Sequence, residues 1–194
     1  MGHRRGFKTE ANSRAQEVRE ELALGALDRL DPWVLAEHLL IPVWPLSVLL
    51  ETTPSATHLL EVEPEVFSGV TVFRGNKRVI VHNDSHTPPR QNSDVTHEEA
   101  HALLFHPPTP AIDDRGCRHW DQDLEDEASW LGAVLLVTED AALEIARERR
   151  WRTVEEAAEH FGVSTEMITW RLNMTGARAR VARARQRWGN PRRR

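Results

Sequence analysis

Two histidines one helical turn apart are the residues of this sequence best suited to chemistry. They belong to the run His97-Glu98-Glu99-Ala100-His101, which has the pattern HExxH. On a helix, both imidazoles project from one face and can take two corners of a tetrahedral zinc site. Glu98 then lies where a general base can act on water. The pattern indicates a zinc hydrolase site, and its alternative is a pair of surface histidines on an amphipathic helix.

A catalytic zinc site needs a third protein ligand, and Glu125 is the candidate. A carboxylate without a partner in so apolar a helix is costly, and a metal would explain it. The residues three, four and seven positions further on are small, so a second helix can approach this face: Ala128, Ser129 and Gly132. Glu127 is the rival ligand, but it lies about 200° round the helix from Glu125. The alternative for Glu125 is an exposed acid in the first helical turn.

The group that stabilises the oxyanion of a peptidase reaction is the least defined part of the site. The chain contains no tyrosine, so this role falls to a histidine, an arginine or backbone N–H groups. Three side chains near the two metal-site segments are candidates for oxyanion or substrate contacts: Arg90, His106 and His119. A structural role is the alternative for each of them.

Two helices must position these ligands. The first, over 91–106, is predicted to be capped by Ser93 or Asp94 and stopped by Pro107-Pro108. The second, over 124–137, is apolar nearly all round after Glu127 and should be buried.

Other helices and one hairpin complete the predicted architecture. The residues 69–83 form a β-hairpin around Gly75-Asn76, whose strand at Val79–Val81 can align an extended substrate. Helical periodicity and caps predict further helices over 9–24 and after Asp31, Thr138, Thr153 and Ser164. Helices dominate around one small antiparallel sheet, so the predicted class is α+β.

Composition excludes several classes of protein. The 194 residues are 40% hydrophobic and 28% charged, as in an ordinary globular domain, which excludes collagen-like and disordered chains. The single cysteine, Cys117, cannot form an internal disulfide. The longest apolar stretch is broken by Glu37, His38 and prolines, so we expect no membrane span. We also expect no signal peptide, and hence a cytoplasmic protein.

Charge is distributed unevenly along the chain. Eight arginines and no acidic residue follow residue 177, leaving 17 basic against 30 acidic residues before it, a net charge of −13. The basic tail, with a helix-turn-helix-like segment over 153–172 ahead of it, can be interpreted as a nucleic-acid-binding region. The alternatives are a partly helical extension that folds back on the acidic body, and a helical segment that packs on it.

The two metal-site segments together resemble a known family. RQNSDVTHEEAHALLFH and EDEASWLGAVLLV are similar to the two metal helices of the ImmA/IrrE family of bacterial and phage metallo-endopeptidases. FGVSTEMITWRL resembles the helix-turn-helix-like segment of that family. Glu99-Ala100 replaces the usual Leu-Gly inside the motif, which changes no ligand.

The resemblance implies a zincin-like fold and one zinc ion per chain, held by His97, His101 and Glu125 with Glu98 as catalytic base. It implies a metallopeptidase domain over 1–150 and a helix-turn-helix-like subdomain over 151–177. The charge distribution adds an arginine-rich tail over 178–194, which we expect to be flexible. The implied substrate is a helix-turn-helix repressor, cut to derepress stress or mobile-element genes. The alternative function is a DNA-binding regulator with a structural or degenerate zinc site, although DNA binding through the tail is not favoured.

Overall fold

The computed structural model describes residues 4–75, 77–107 and 121–189, and of Trp188 and Gly189 only the backbone. His119 and Cys117 lie outside these residues. Eight α-helices occur in the described part of the chain: α1 (Phe7–Glu21), α2 (Pro32–His38), α3 (Pro88–Leu103), α4 (Gln122–Leu136), α5 (Glu139–Arg147), α6 (Val154–Phe161), α7 (Thr165–Thr175) and α8 (Ala177–Gly189). Short 3-10 and π turns lie within 46–66.

The predicted helix caps are confirmed where the sequence carried a local signal. Each capping side chain accepts a hydrogen bond from a backbone N–H of the first turn, which satisfies a donor that has no partner within the helix. The predicted caps are Asp31 of α2, Thr138 of α5, Thr153 of α6 and Ser164 of α7. Asp121, which was not predicted as a cap, caps α4 in the same way.

The start of α3 differs from the prediction. The helix begins at Pro88 with Thr87 as N-cap, so Ser93 and Asp94 lie inside it. Proline fits the first helical turn because its missing N–H would have no partner there. The Ser93 hydroxyl instead donates to the Pro89 carbonyl, 3.2 Å away. Helix α3 ends at Leu103, before the two prolines that were expected to stop it.

Three strands form one small mixed sheet with the order β1-β3-β2. The predicted hairpin is confirmed as β2 (Gly69–Arg74) antiparallel to β3 (Lys77–His82). Strand β1 (Val43–Pro45) pairs with β3 in parallel, so the sheet is not purely antiparallel as expected. Because β3 is the central strand, its backbone is paired on both sides, and strand addition at Val79–Val81 was a wrong prediction. The edge strand of the hairpin is β2.

The main hydrophobic core joins helices from both halves of the chain. Helix α4 lies at its centre with Leu131 and Leu135, which are fully buried, and α1 covers one side with Phe7. Helices α6 and α7 contribute Phe161 and Ile168 to the same core. Because these contacts cover the other faces of α4, they determine which face of α4 contacts α3.

The arginine-rich segment is helical through Gly189 in the described residues, where a flexible tail was expected. Helix α8 packs against α5 and buries Val181, and Arg180 forms an ion pair with Glu139. The Arg185 guanidinium donates to the Arg147 carbonyl at 3.0 Å. The division into three domains stays a prediction.

The fold class is α+β, as predicted, and this mostly helical architecture with a small sheet fits a zincin-like fold. Among the described residues, none of the helices combines the length and apolar character needed to cross a bilayer.

Candidate active site

Helices α3 and α4 approach closely because small residues line their contact. A Cβ atom added to Gly132 of α4 would lie 3.4 Å from the Thr96 carbonyl and 3.5 Å from the His97 backbone nitrogen. Ala128, one turn earlier, is fully buried. The predicted stripe of small residues thus brings the first turn of α4 beside the HExxH residues of α3.

Three side-chain atoms converge where these helices meet. His97 Nε2 lies 3.0 Å from Glu125 Oε2 and 3.1 Å from His101 Nε2. His101 Nε2 lies 3.6 Å from the same carboxylate oxygen. A tetrahedral zinc ion with bonds of 2.0–2.1 Å holds its ligand atoms about 3.3 Å apart. The three donors therefore fit a metal ion of this size, and they form a potential metal-binding group within the described residues.

The second nitrogen of each histidine contacts another side chain. His97 Nδ1 lies 3.4 Å from the Ser129 hydroxyl, and His101 Nδ1 lies 2.9 Å from His106 Nδ1. Histidines that bind metals usually have their other ring nitrogen held in this way, which fixes the tautomer and the ring plane. Both Nε2 atoms are thus presented toward the common point.

The electrostatics of the group favour an ionised carboxylate. Burial acts to raise the pKa of Glu125, but hydrogen bonds from His101 and His97 lower it to about 2. Burial acts to lower the pKa of His97, and the hydrogen bond with Glu125 and nearby carboxylates outweigh it, so this pKa is raised. In the metal-free protein, a proton on His97 can therefore balance the charge of Glu125. A divalent cation would replace that proton.

Glu98 lies beside the potential metal-binding group of His97, His101 and Glu125, and a residue of strand β2 holds its side chain. Its Oε2 accepts a hydrogen bond of 2.6 Å from the Thr71 hydroxyl. Gly69 of the same strand lies next to this side chain, since a Cβ there would be in ordinary contact with Glu98 Cγ at 3.6 Å. Glu98, His97, His101 and Glu125 line one cleft of about 580 Å³. The edge strand β2 and the apolar side chains of Phe73, Leu136 and Met167 line the same cleft.

The rival carboxylate Glu127 points elsewhere. It is 7% exposed and accepts a 2.9 Å hydrogen bond from Arg4. Its Oε2 lies 3.6 Å from His106 Nε2. The structure therefore brings Glu125, not Glu127, to His97 and His101.

The three residues predicted to contact the oxyanion or the substrate differ in their position relative to the cleft. Arg90 forms ion pairs with Glu65 and Asp94 and does not line the cleft. His106 lines the cleft but is engaged with His101, and burial followed by the neighbouring His101 lowers its pKa. His119 lies outside the described residues. A role in oxyanion binding stays a prediction for all three.

Sequence reasoning missed two contacts of the site. The Thr71 hydroxyl on Glu98 has no sequence signal, because it depends on the register of a distant hairpin. The link from Glu127 to His106 depends on the way the chain turns after α3.

Comparison with known families agrees with this geometry. The family Peptidase M78, described as the IrrE N-terminal-like domain, matches residues 51–173, which is more than half of the chain. Among curated protein sequences, none matches the chain. The matched segment contains β2, both metal-site helices and the helix-turn-helix-like helices. The chain therefore belongs to the Peptidase M78 family of metallopeptidases.

Proposed function

We propose that the protein is a zinc-dependent endopeptidase of the cytoplasm. The convergence of His97 Nε2, His101 Nε2 and Glu125 Oε2 carries this proposal, since two histidines and a glutamate are a donor set of catalytic zinc sites. One zinc ion per chain, held by these three residues, would polarise the scissile carbonyl and increase the acidity of a water molecule.

The residues of the chain supply the proton transfers. Glu98, held by Thr71 at the side of the cleft, accepts a proton from the attacking water and then delivers it to the leaving amine. Glu98 is the feature that favours an enzyme over a structural zinc site, because a structural site needs ligands but no base.

The cleft suits an extended polypeptide. Strand β2 is at the edge of the sheet, and its residues Gly69, Val70, Thr71 and Phe73 line the cleft beside the metal group. An edge strand offers backbone N–H and C=O groups that an extended substrate can pair with. Pairing along six residues of β2 would place substrate on both sides of the cleaved bond, as an endopeptidase requires.

The substrate we propose is a helix-turn-helix repressor, whose cleavage derepresses stress or mobile-element genes. This part rests on the resemblance of the two metal helices to the ImmA/IrrE family. A repressor encoded by a neighbouring gene is the first substrate to test.

The test uses Glu98→Gln, which keeps the shape of the side chain and all three ligands. Zinc content should stay at one ion per chain, while cleavage of the repressor falls by about 10²–10⁴ because the base is lost. Glu155→Gln, on the exposed face of α6, is the matched control and should cleave like the parent. Zinc is measured by metal analysis and cleavage by electrophoresis. Equal cleavage by Glu98→Gln and the parent would contradict the proposed mechanism.

A further inference from the structure

The chain turns sharply after α3 and brings His106 back beside the helix. Phe105 has φ of 54°, a left-handed conformation that is uncommon for a bulky residue. The His106 N–H donates to the His101 carbonyl at 3.0 Å. The Phe105 side chain is 79% exposed, so its own packing does not explain the turn. The turn instead places the His106 ring against the His101 ring, with centroids 5.0 Å apart.

The positions of protons along this contact follow from the geometry. If His101 binds a metal through Nε2, its proton lies on Nδ1 and is donated to His106 Nδ1, 2.9 Å away. His106 must then carry its own proton on Nε2. That atom faces Glu127 Oε2 at 3.6 Å, within the range of an electrostatic contact.

Glu127 has a defined partner on its other side. Its Oε1 accepts a 2.9 Å hydrogen bond from Arg4, which precedes α1. The side chains of His106 and Glu127 are 6% and 9% exposed, whereas that of Arg4 is 53% exposed. A buried carboxylate needs such a partner, because burial without one is unfavourable. The carboxylate is therefore held in place between a cation and an imidazole.

We propose that His106, Glu127 and Arg4 form a positioning chain that holds His101 in its metal-binding orientation and sets the affinity for zinc. The proposal rests on the proposed function, since it assumes a metal on His101. None of the three residues is assigned as a ligand. They act through His101, as residues behind the ligands of other metal sites do.

The experiment measures the zinc dissociation constant of the full chain by competition with a chromogenic chelator. His106→Leu and Glu127→Gln should each weaken zinc binding by about 10–100-fold, the usual effect of removing a partner of a metal-binding histidine. Arg4→Gln should weaken it less, because Arg4 is half exposed. His106→Gln, whose amide can both accept and donate, should recover part of the loss. Glu10→Gln removes the other ion-pair partner of Arg4 and should bind zinc like the parent.

Two further readouts separate positioning from general destabilisation. The melting temperature of the metal-free Glu127→Gln protein should stay close to that of the parent, and its cobalt-loaded form should keep the parent's ligand-field spectrum. Parent-like zinc affinity in both His106→Leu and Glu127→Gln would overturn the positioning chain. So would an affinity loss that is matched by Glu10→Gln or explained by unfolding of the metal-free variants. Failure of the parent to bind zinc would instead contradict the proposed function.

Discussion

Two carboxylates adjacent in the sequence, Glu98 and Glu99, lie in opposite environments. Glu98 faces the cleft and accepts a hydrogen bond from the Thr71 hydroxyl. Glu99 is fully buried, and within the described part of the chain neither of its oxygens has a hydrogen-bond partner. Burial, with the charge of Asp31 adding to it, raises the pKa of Glu99 well above the usual value. The same residue type thus faces the cleft at one position, and at the next it lies where burial favours its neutral form.

The hydroxyl of Thr71 should contribute to catalysis by fixing Glu98. Thr71→Val keeps the volume but removes the 2.6 Å hydrogen bond. Hydrogen bonds to charged groups contribute roughly 1.5–3 kcal/mol, so the rate of repressor cleavage should fall at least about tenfold. Thr71→Ser keeps the hydroxyl and is the matched control. Full activity of the valine variant would show that Glu98 needs no support from β2.

The buried Glu99 should destabilise the fold above acidic pH. Its pKa is higher in the folded protein than in the unfolded chain, so the folded state retains a proton that the unfolded state releases. The free energy of unfolding is therefore not reduced by Glu99 below about pH 4.3, the pKa of a glutamate in the unfolded chain. It decreases as the pH rises from there toward the pKa of Glu99 in the folded protein. Glu99→Leu removes the buried carboxyl group and with it this decrease in stability. The substitution should stabilise the metal-free protein by about 1–3 kcal/mol at neutral pH.

Urea unfolding of the metal-free parent and Glu99→Leu proteins at pH 4, 6 and 8 measures this effect. The stability difference between the two proteins should widen as the pH rises. A difference that is constant with pH would mean that Glu99 ionises normally in the folded protein.

At the scale of elements, the close contact of α3 and α4 positions the proposed metal ligands. A Cβ atom at Gly132 would already contact backbone atoms of Thr96 and His97, at 3.4–3.6 Å. We expect a side chain larger than alanine at Gly132 to push the two helices apart, and with them Glu125 from the histidines. Interiors are packed too tightly to absorb such a change without movement.

Substitutions at Gly132 should therefore depend sharply on size. Gly132→Ala should change stability by less than about 1 kcal/mol, since the added methyl meets ordinary contacts and favours the helix. Gly132→Val should cost about 1–3 kcal/mol through overpacking. It should also weaken zinc binding, measured by chelator competition, by at least about tenfold. Parent-like zinc affinity in Gly132→Val would show that the positions of the proposed ligands do not depend on the spacing between α3 and α4.

Elements with local signals were predictable, and those that depend on distant pairing were not. The caps at Thr153 and Ser164 and the choice of Glu125 over Glu127 follow from spacing along one helix. The parallel pairing of β1 with β3 joins Val43 to Ile80 and has no local signature. The turn that places His106 could not be predicted either. Phe105 has a left-handed backbone conformation there, and a glycine in the sequence is the usual sign of that conformation.

At the scale of the whole molecule, helix α8 joins the basic end of the chain to the acidic body. Ala177 and Val181 are buried, and Arg180 is paired with Glu139 of α5. Arg178, Arg183 and the other arginines of α8 are exposed. Some of the positive charge thus faces the protein itself, and some faces solvent.

Truncation after Ala177 should separate the two interpretations of this segment. The shortened chain should melt about 5 °C lower because the contacts of Val181 are lost, yet keep its zinc and its activity. The full chain should show no sub-micromolar binding to duplex DNA at physiological salt, because the rest of the protein carries a net charge of −13. Fluorescence anisotropy at several salt concentrations measures this. Salt-dependent sub-micromolar binding that is lost on truncation would favour the DNA-binding regulator.

Helix α1 lies outside the segment shared with the family, residues 51–173, yet it packs against α4 of that segment. Phe7 covers α4, Arg19 donates to the Leu135 carbonyl at 2.7 Å, and Arg4 reaches Glu127. We therefore expect that residues 51–173 need helix α1 to remain stably folded. A fusion protein that received only residues 51–173 would expose the face of α4 that α1 covers, so we expect it to need a substitute helix at that position.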